Sequence, residues 1–131
     1  MPKLKSFDAT HFSFSITPSK KILFANNKGQ KTYIKNRMDR MLSKEPETIK
    51  WINSFDKESV FFDIGANIGI YSLYSAIVKQ NLVYAFEPHA ASYKNLLESI
   101  NLNKLQNCNA HCIAMGDKLA LGSIDVKNMH E

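Results

Sequence analysis

The stretch that decides the fold is VFFDIGANIG, residues 60–69, which a helix-period segment follows over residues 70–78. Its apolar first half predicts a buried strand that ends beside Asp63, and Gly65 and Gly69 predict a tight turn into a helix. This order of strand, turn and helix is typical of α/β proteins that bind nucleotide-like ligands. Because the first amides of the following helix have no partner within it, we expect an anionic group of the ligand to lie there.

A second carboxylate follows 24 residues after Asp63, where the predicted strand Leu82–Phe86 ends in Glu87 and Pro88. A carboxylate at the tip of the second strand is placed to bind both hydroxyls of a ribose. Between the two, Asn67 occupies a position where a dinucleotide site requires glycine, and its side chain can hydrogen-bond a smaller amino-acid group. We therefore predict an adenosine cofactor, and we keep an NAD-dependent oxidoreductase fragment as an alternative.

The elements after residue 56 alternate between strand and helix patterns. An amphipathic stripe predicts a helix over residues 93–100, and residues 108–115 predict a third strand with Asp117 near its tip. Residues 119–126 are predicted to add one more strand. Alternation with short connections indicates parallel strands joined by right-handed crossovers, and therefore an α/β fold.

The front of the chain has a different pattern. Residues 12–24 predict a two-stranded hairpin, residues 33–42 a helix, and Pro46 the start of a second short helix. Residues 1–50 carry 11 basic and 4 acidic side chains, whereas residues 51–131 carry 6 and 8. We interpret the basic character as a solvated surface away from the pocket, with no nucleic-acid partner. We expect an N-terminal extension, residues 1–44, and a partial α/β domain, residues 45–131.

Composition sets further limits. A chain of 131 residues, 44% of them hydrophobic, suits one globular domain. Its apolar runs are too short to span a membrane and it shows no leader pattern, so we predict a soluble, cytoplasmic protein. Cys108 and Cys112 are too far apart in a strand for a disulfide and too few for a zinc site, so we expect buried, reduced thiols and no metal.

Four strings, KEPETIKWINSF, FFDIGANIGIYSLYSA, YAFEPHAASYKNLLESINLN and IAMGDK, lie in this order within residues 44–118. Through them the chain resembles the FkbM-type family of S-adenosylmethionine-dependent methyltransferases. The resemblance implies a Rossmann-like class I methyltransferase fold and transfer of a methyl group to a hydroxyl, often on a sugar, a glycolipid or a natural product. Domains of this family continue beyond the third strand, so we predict a sheet that is truncated after the third or fourth strand.

The resemblance also implies a role for individual residues. The loop around the methionine part of S-adenosylmethionine would be formed by Asp63, Gly65, Ala66, Asn67 and Gly69. Glu87 would hold the ribose, Pro88 and His89 would line the adenosine, and Asp117 would approach the adenine amino group. Glu45, Glu47 and Thr48 would close over the cofactor. No catalytic residue is predicted.

Three functions remain open at this point. The first is a methyltransferase with a small-molecule or saccharide acceptor, the second a non-catalytic remnant or interaction module, and the third the oxidoreductase fragment. Without a fourth strand, the first strand of the α/β portion would have an open apolar edge. We therefore predict aggregation, self-association or a complementing chain at that edge, or an N-terminal hairpin that covers it.

Overall fold

The computed structural model describes residues 3–7, 11–27 and 31–126. The first part comprises β1 (Lys3–Phe7), β2 (His11–Thr17), β3 (Lys20–Ala25), α1 (Lys31–Ser43) and α2 (Pro46–Asn53). The second part alternates: β4 (Val60–Ile64), α3 (Ile70–Tyr74) extended by a π-helical turn (Ser75–Lys79), β5 (Leu82–Phe86), α4 (Ala90–Leu102) and β6 (Cys108–His111). The strands form two three-stranded sheets, an antiparallel one in the order β1-β2-β3 and a parallel one in the order β4-β5-β6.

The parallel sheet buries one of its faces under helices. Side chains alternate along each strand, so Phe61, Val83, Ala85 and Cys108 point to the same side, where all four are buried. Helices α3 and α4 pack on that side. The predicted order of strand, helix, strand, helix and strand is therefore confirmed, with parallel pairing between β4 and β5 and between β5 and β6.

The opposite face of the parallel sheet is formed by aromatic rings. Phe62, Tyr84, Phe86 and His111 stack across the three strands with ring centroids 5.4–6.4 Å apart. We call these four residues the open face, because no described residue buries it and the Phe62 side chain remains 59% exposed. Parallel sheets in α/β proteins are normally covered on both faces, so this exposure is unusual.

The antiparallel sheet is attached to α4 by side-chain hydrogen bonds. Asn103 donates to the Leu23 carbonyl at 2.7 Å and accepts from the Leu23 amide at 2.9 Å. Two residues along β3, the Ala25 amide donates to Ser99 Oγ at 2.9 Å and the Ala25 carbonyl accepts from Asn95 at 3.2 Å. Since α4 also contacts β6, this helix lies between the two sheets.

The predicted hairpin is confirmed as β2 and β3, and β1 extends it to three strands. The helices predicted over residues 33–42 and from Pro46 are also present. However, the expectation that the hairpin covers the edge of β4 is wrong. The free edge of β3 turns to α4 instead, because the amide and hydroxyl groups of that helix satisfy its backbone groups.

The predicted third strand is shorter than expected, and the strand predicted over residues 119–126 is wrong. The last parallel pair joins Phe86 to His111, and β5 ends there. Residues 112–115 consequently have no strand to pair with, and a strand needs a neighbour to satisfy its backbone. Residues 112–126 are irregular and exposed.

Candidate functional site

The loop between β4 and α3 contains three left-handed residues at alternate positions. Their φ angles are 78° at Gly65, 55° at Asn67 and 85° at Gly69. A Cβ added at Gly69 would lie 2.2 Å from Cδ1 of Leu96 on α4, whereas a Cβ at Gly65 would meet nothing within 4 Å. The two predicted turn glycines are thus needed for the positive φ, and Gly69 also for the close approach of α4.

The backbone amides of this loop are used inside the protein. Gly65 and Ala66 both donate to the Phe86 carbonyl, at 2.8 and 3.0 Å, and Gly69 donates to the Ala66 carbonyl at 2.8 Å. The amide of Asn67 donates to a Glu87 carboxylate oxygen at 2.7 Å. Three of these bonds attach the loop to the end of β5, and the one from Gly69 closes the loop on itself. A ligand could bind any of these four amides only by breaking the hydrogen bond that the amide already makes.

Glu87 connects the loop to the beginning of α4. Its carboxylate is buried, and the oxygen that does not bind Asn67 accepts from the His89 amide at 2.8 Å. Because a carboxylate offers about four acceptor positions, it retains capacity for two further donors such as ribose hydroxyls. The structure therefore brings together Glu87, Asn67 and His89 from the predicted set. It also gives His89 a local role, since its ring Nδ1 accepts from the Ser92 amide and caps α4.

Asp63 lies where β4 meets the loop. The Ser72 hydroxyl donates to its carboxylate at 2.5 Å. Burial raises the pKa of Asp63, the hydrogen bonds from Ser72 oppose that shift, and the nearby Glu87 charge adds to it. The Asp63 carboxyl group therefore joins the end of β4 to α3, and it lies beside the loop.

A cavity of about 70 Å³ opens beside the loop. Its walls come from α1, from the β4 end with its loop, and from α3: Arg37, Arg40, Met41, Glu45, Asp63, Gly65, Ala66, Ile68, Ile70 and Tyr71. The Tyr71 hydroxyl donates to Glu45 at 2.5 Å, and burial together with this carboxylate raises the pKa of Tyr71 to about 12. Of the three residues expected to close over a cofactor, Glu45 lines the cavity, whereas exposed Glu47 pairs with Lys50.

Two arginines at this cavity were not expected there. We interpreted the basic front segment as a surface remote from the pocket, and that interpretation is wrong for Arg37 and Arg40. Together with Tyr33 they occupy positions i, i+4 and i+7 on one face of α1, and the Tyr33 hydroxyl accepts from the Asn67 side chain at 2.8 Å. The signal was present in the sequence as a polar stripe beside the buried stripe of Ile34 and Met38.

Other predicted residues lie elsewhere. Asp117 follows β6 by six residues in the exposed irregular segment and does not line the cavity, and neither does Pro88. Cys108 is buried, which raises the pKa of its thiol to about 12, but Cys112 is exposed, contrary to the expectation that both are buried.

Within residues 3–7, 11–27 and 31–126, no group of three or more His, Cys, Asp or Glu side chains could hold a metal ion. In the same ranges, every helix is too short or too polar to cross a membrane.

Solved structures show the fold, although no protein-family model and no curated protein match the chain at a significant level. TYW2 from P. horikoshii, in complex with MeSAdo, aligns with a TM-score of 0.51 and 18% identity over 82% of this chain and 37% of that one. TYW2 from M. jannaschii, in complex with AdoMet, aligns with a TM-score of 0.50 and 21% identity over 82% and 45%. A SAM-dependent methyltransferase from Agrobacterium tumefaciens aligns with a TM-score of 0.48 and 12% identity over 82% and 34%.

The two TYW2 alignments confirm the predicted fold class, a Rossmann-like methyltransferase fold. The described part of this chain contributes three parallel strands to it. The chain spans less than half of the length of each of the three structures.

Proposed function

We propose that this chain is the cofactor-binding part of an S-adenosylmethionine-dependent methyltransferase. The observation that carries the proposal is the buried carboxylate of Glu87, which holds the left-handed loop at Asn67 and still has acceptor capacity. Proteins with this fold were solved in complex with MeSAdo or AdoMet. We also propose that the protein is cytoplasmic.

The residues at the loop fit such a cofactor. Glu87 would accept hydrogen bonds from the two ribose hydroxyls, and the loop would lie under the methionine part. The side-chain oxygen of Asn67 is buried and makes no hydrogen bond within the described part of the chain, so it offers an acceptor for an amino group. The bound cofactor supplies a methyl group on a positively charged sulfur, and these side chains would orient it.

For the acceptor we propose a hydroxyl group of a small molecule or a saccharide, on the strength of the DIGANIG and FEP motifs at residues 63–69 and 86–88. The protein would promote transfer by holding this oxygen about 3 Å from the methyl carbon, while a base removes the hydroxyl proton. The acceptor side of the site would be supplied by further polypeptide that pairs with the edge of β4.

The main competing function is a non-catalytic interaction module, which the open face favours because it offers a large aromatic surface to a partner. The oxidoreductase alternative is less favoured. A dinucleotide pyrophosphate requires close contact with the loop backbone, but Asn67 carries a side chain there and the amides of Gly65, Ala66 and Asn67 already have partners.

Calorimetric titration with S-adenosylhomocysteine tests the proposal, with NAD as the second ligand. We expect the wild-type chain to bind S-adenosylhomocysteine and not NAD. Glu87→Gln should weaken binding about 10- to 150-fold, the range for losing hydrogen bonds to a charged group. Glu47→Gln, at an exposed position, is the matched control and should bind as the wild type does.

Two results would contradict the proposal. A folded wild-type chain that does not bind S-adenosylhomocysteine would leave the interaction module as the better explanation. Tighter binding of NAD than of S-adenosylhomocysteine would favour the oxidoreductase. Circular dichroism of each variant establishes whether a loss of binding reflects a loss of fold.

A further inference from the structure

We propose that Arg37 and Arg40 of α1 bind the carboxylate at the amino-acid end of the cofactor. This inference rests on the proposed function and assigns that ligand group to named side chains. Both arginines line the 70 Å³ cavity together with Gly65 and Ala66, the part of the loop expected to hold the methionine moiety. The same two arginines also line a groove of about 410 Å³ along α1.

The charges around the cavity leave both guanidinium groups available. In the described part of the chain, neither Arg37 nor Arg40 makes an ion pair or a side-chain hydrogen bond. Two carboxylates line the same cavity, but each accepts a hydrogen bond from a neutral hydroxyl: Asp63 from Ser72, and Glu45 from Tyr71. Arginine presents a planar fork of donors that matches a carboxylate in bidentate geometry, so an anionic group is the ligand that suits this place.

The loop backbone offers a ligand fewer free amide donors than the sequence suggests. The amides of Gly65, Ala66, Asn67 and Gly69 already donate to carbonyls or to Glu87. Arg37 and Arg40 are the basic side chains of the cavity lining, so a negative group that enters beside this loop would meet them.

The size of the cavity also indicates which ligand group enters it. A volume of about 70 Å³ accommodates a few water molecules. This is enough for a carboxylate with its α-carbon but too small for a nucleoside. The adenosine would then lie at Glu87, outside this cavity, and the two ends of the cofactor would be recognised by different elements of the fold.

The test compares two ligands that differ in the amino-acid group. S-adenosylhomocysteine carries it, and 5′-methylthioadenosine has the same adenosine and thioether without it. We expect Arg37→Met and Arg40→Met each to weaken S-adenosylhomocysteine binding to the full chain by about tenfold or more, the loss of one charge-assisted contact. Binding of 5′-methylthioadenosine should remain within twofold of the wild type. Lys35→Met removes the same charge from the exposed side of α1 and should change neither affinity.

Several outcomes would overturn the inference. If each arginine variant weakens both ligands equally, the arginines support the structure of the site and do not contact the carboxylate. If neither variant changes S-adenosylhomocysteine binding, the carboxylate lies elsewhere. A wild-type chain that binds neither ligand refutes the proposed function itself, and the arginine assignment with it. In the first two outcomes the wild-type chain still binds S-adenosylhomocysteine, so they refute the arginine assignment alone.

Discussion

Replacing Gly69 with alanine should destabilise the protein by two separate effects. The backbone at Gly69 has a φ of 85°, and the new Cβ would lie 2.2 Å from Leu96 Cδ1. A left-handed backbone costs a residue with a Cβ about 1–2 kcal/mol. Forcing a methyl group into a packed site costs about 1–3 kcal/mol more. We therefore expect Gly69→Ala to lower the free energy of unfolding by about 2–5 kcal/mol.

Gly65→Ala separates the two effects. Its φ of 78° is nearly the same, but an added Cβ meets nothing within 4 Å. We expect a loss of about 1–2 kcal/mol, from the backbone alone. The difference between the two variants, about 1–3 kcal/mol, measures the contact with Leu96. Leu96→Val shortens that side chain and should recover part of the loss in Gly69→Ala but none in Gly65→Ala.

Urea denaturation followed by far-ultraviolet circular dichroism measures both variants. With a denaturant slope of about 2 kcal/mol per molar urea, a difference of about 2 kcal/mol separates the two midpoints by about 1 M. Equal losses for Gly65→Ala and Gly69→Ala, or a larger loss for Gly65→Ala, would refute the account of the close approach between the loop and α4. A Leu96→Val change that helps both variants equally would refute it as well.

Three further predictions concern other parts of the molecule. Phe62→Ser should raise the dissociation constant of any self-association at least about tenfold, since it removes a large apolar side chain from the open face; sedimentation velocity measures this. A thiol reagent should modify Cys112 in the native chain, but Cys108 only after denaturation, because the Cys108 thiol is buried with a pKa of about 12. Asp63→Asn should stabilise the protein at pH 7, because burial raises the pKa of Asp63 and so disfavours its charged form in the folded state. That gain should develop as the pH rises above 3.8, the ordinary pKa of the group, and vanish below it.

Each of these predictions has a control. Leu121→Ser changes an exposed apolar residue of the irregular segment and should leave self-association unchanged. If it weakens self-association as much as Phe62→Ser does, the open face is not the interface. Reaction of two thiols in the native chain would contradict the burial of Cys108. Asp56→Asn alters an exposed carboxylate, and a gain there equal to that of Asp63→Asn would mean that burial is not the cause.

The α/β portion could be predicted because its signals are local. The turn after β4 needs positive φ at Gly65 and Gly69, and α4 has a clear apolar stripe, so both are visible in a short window of sequence. The end of β6 could not be predicted in this way. His111 is the last residue of β6 that pairs with a neighbouring strand, because β5 stops at Phe86. The end of β6 therefore depends on that neighbour and not on residues 112–115 themselves.

The candidate site also contains one part that local sequence predicts and one part that depends on how distant elements pack. The contact of Glu87 with the loop follows from two strand ends that lie side by side, which the motif spacing indicates. The position of Arg37 and Arg40 depends on how α1 is docked, and net charge along the sequence gave the opposite expectation. Charge counts describe a segment as a whole, whereas a site can use two residues of one helix face.

The hydrogen bonds between β3 and α4 join the N-terminal strands to the rest of the chain. A protease that cuts the exposed segment at Lys44 would leave two pieces that still hold each other through Asn103 and Ser99. Separating the two pieces would expose apolar side chains of the first one, such as Phe12 and Phe24, both almost fully buried in the intact chain. The front strands and α4 are therefore expected to unfold as one cooperative unit.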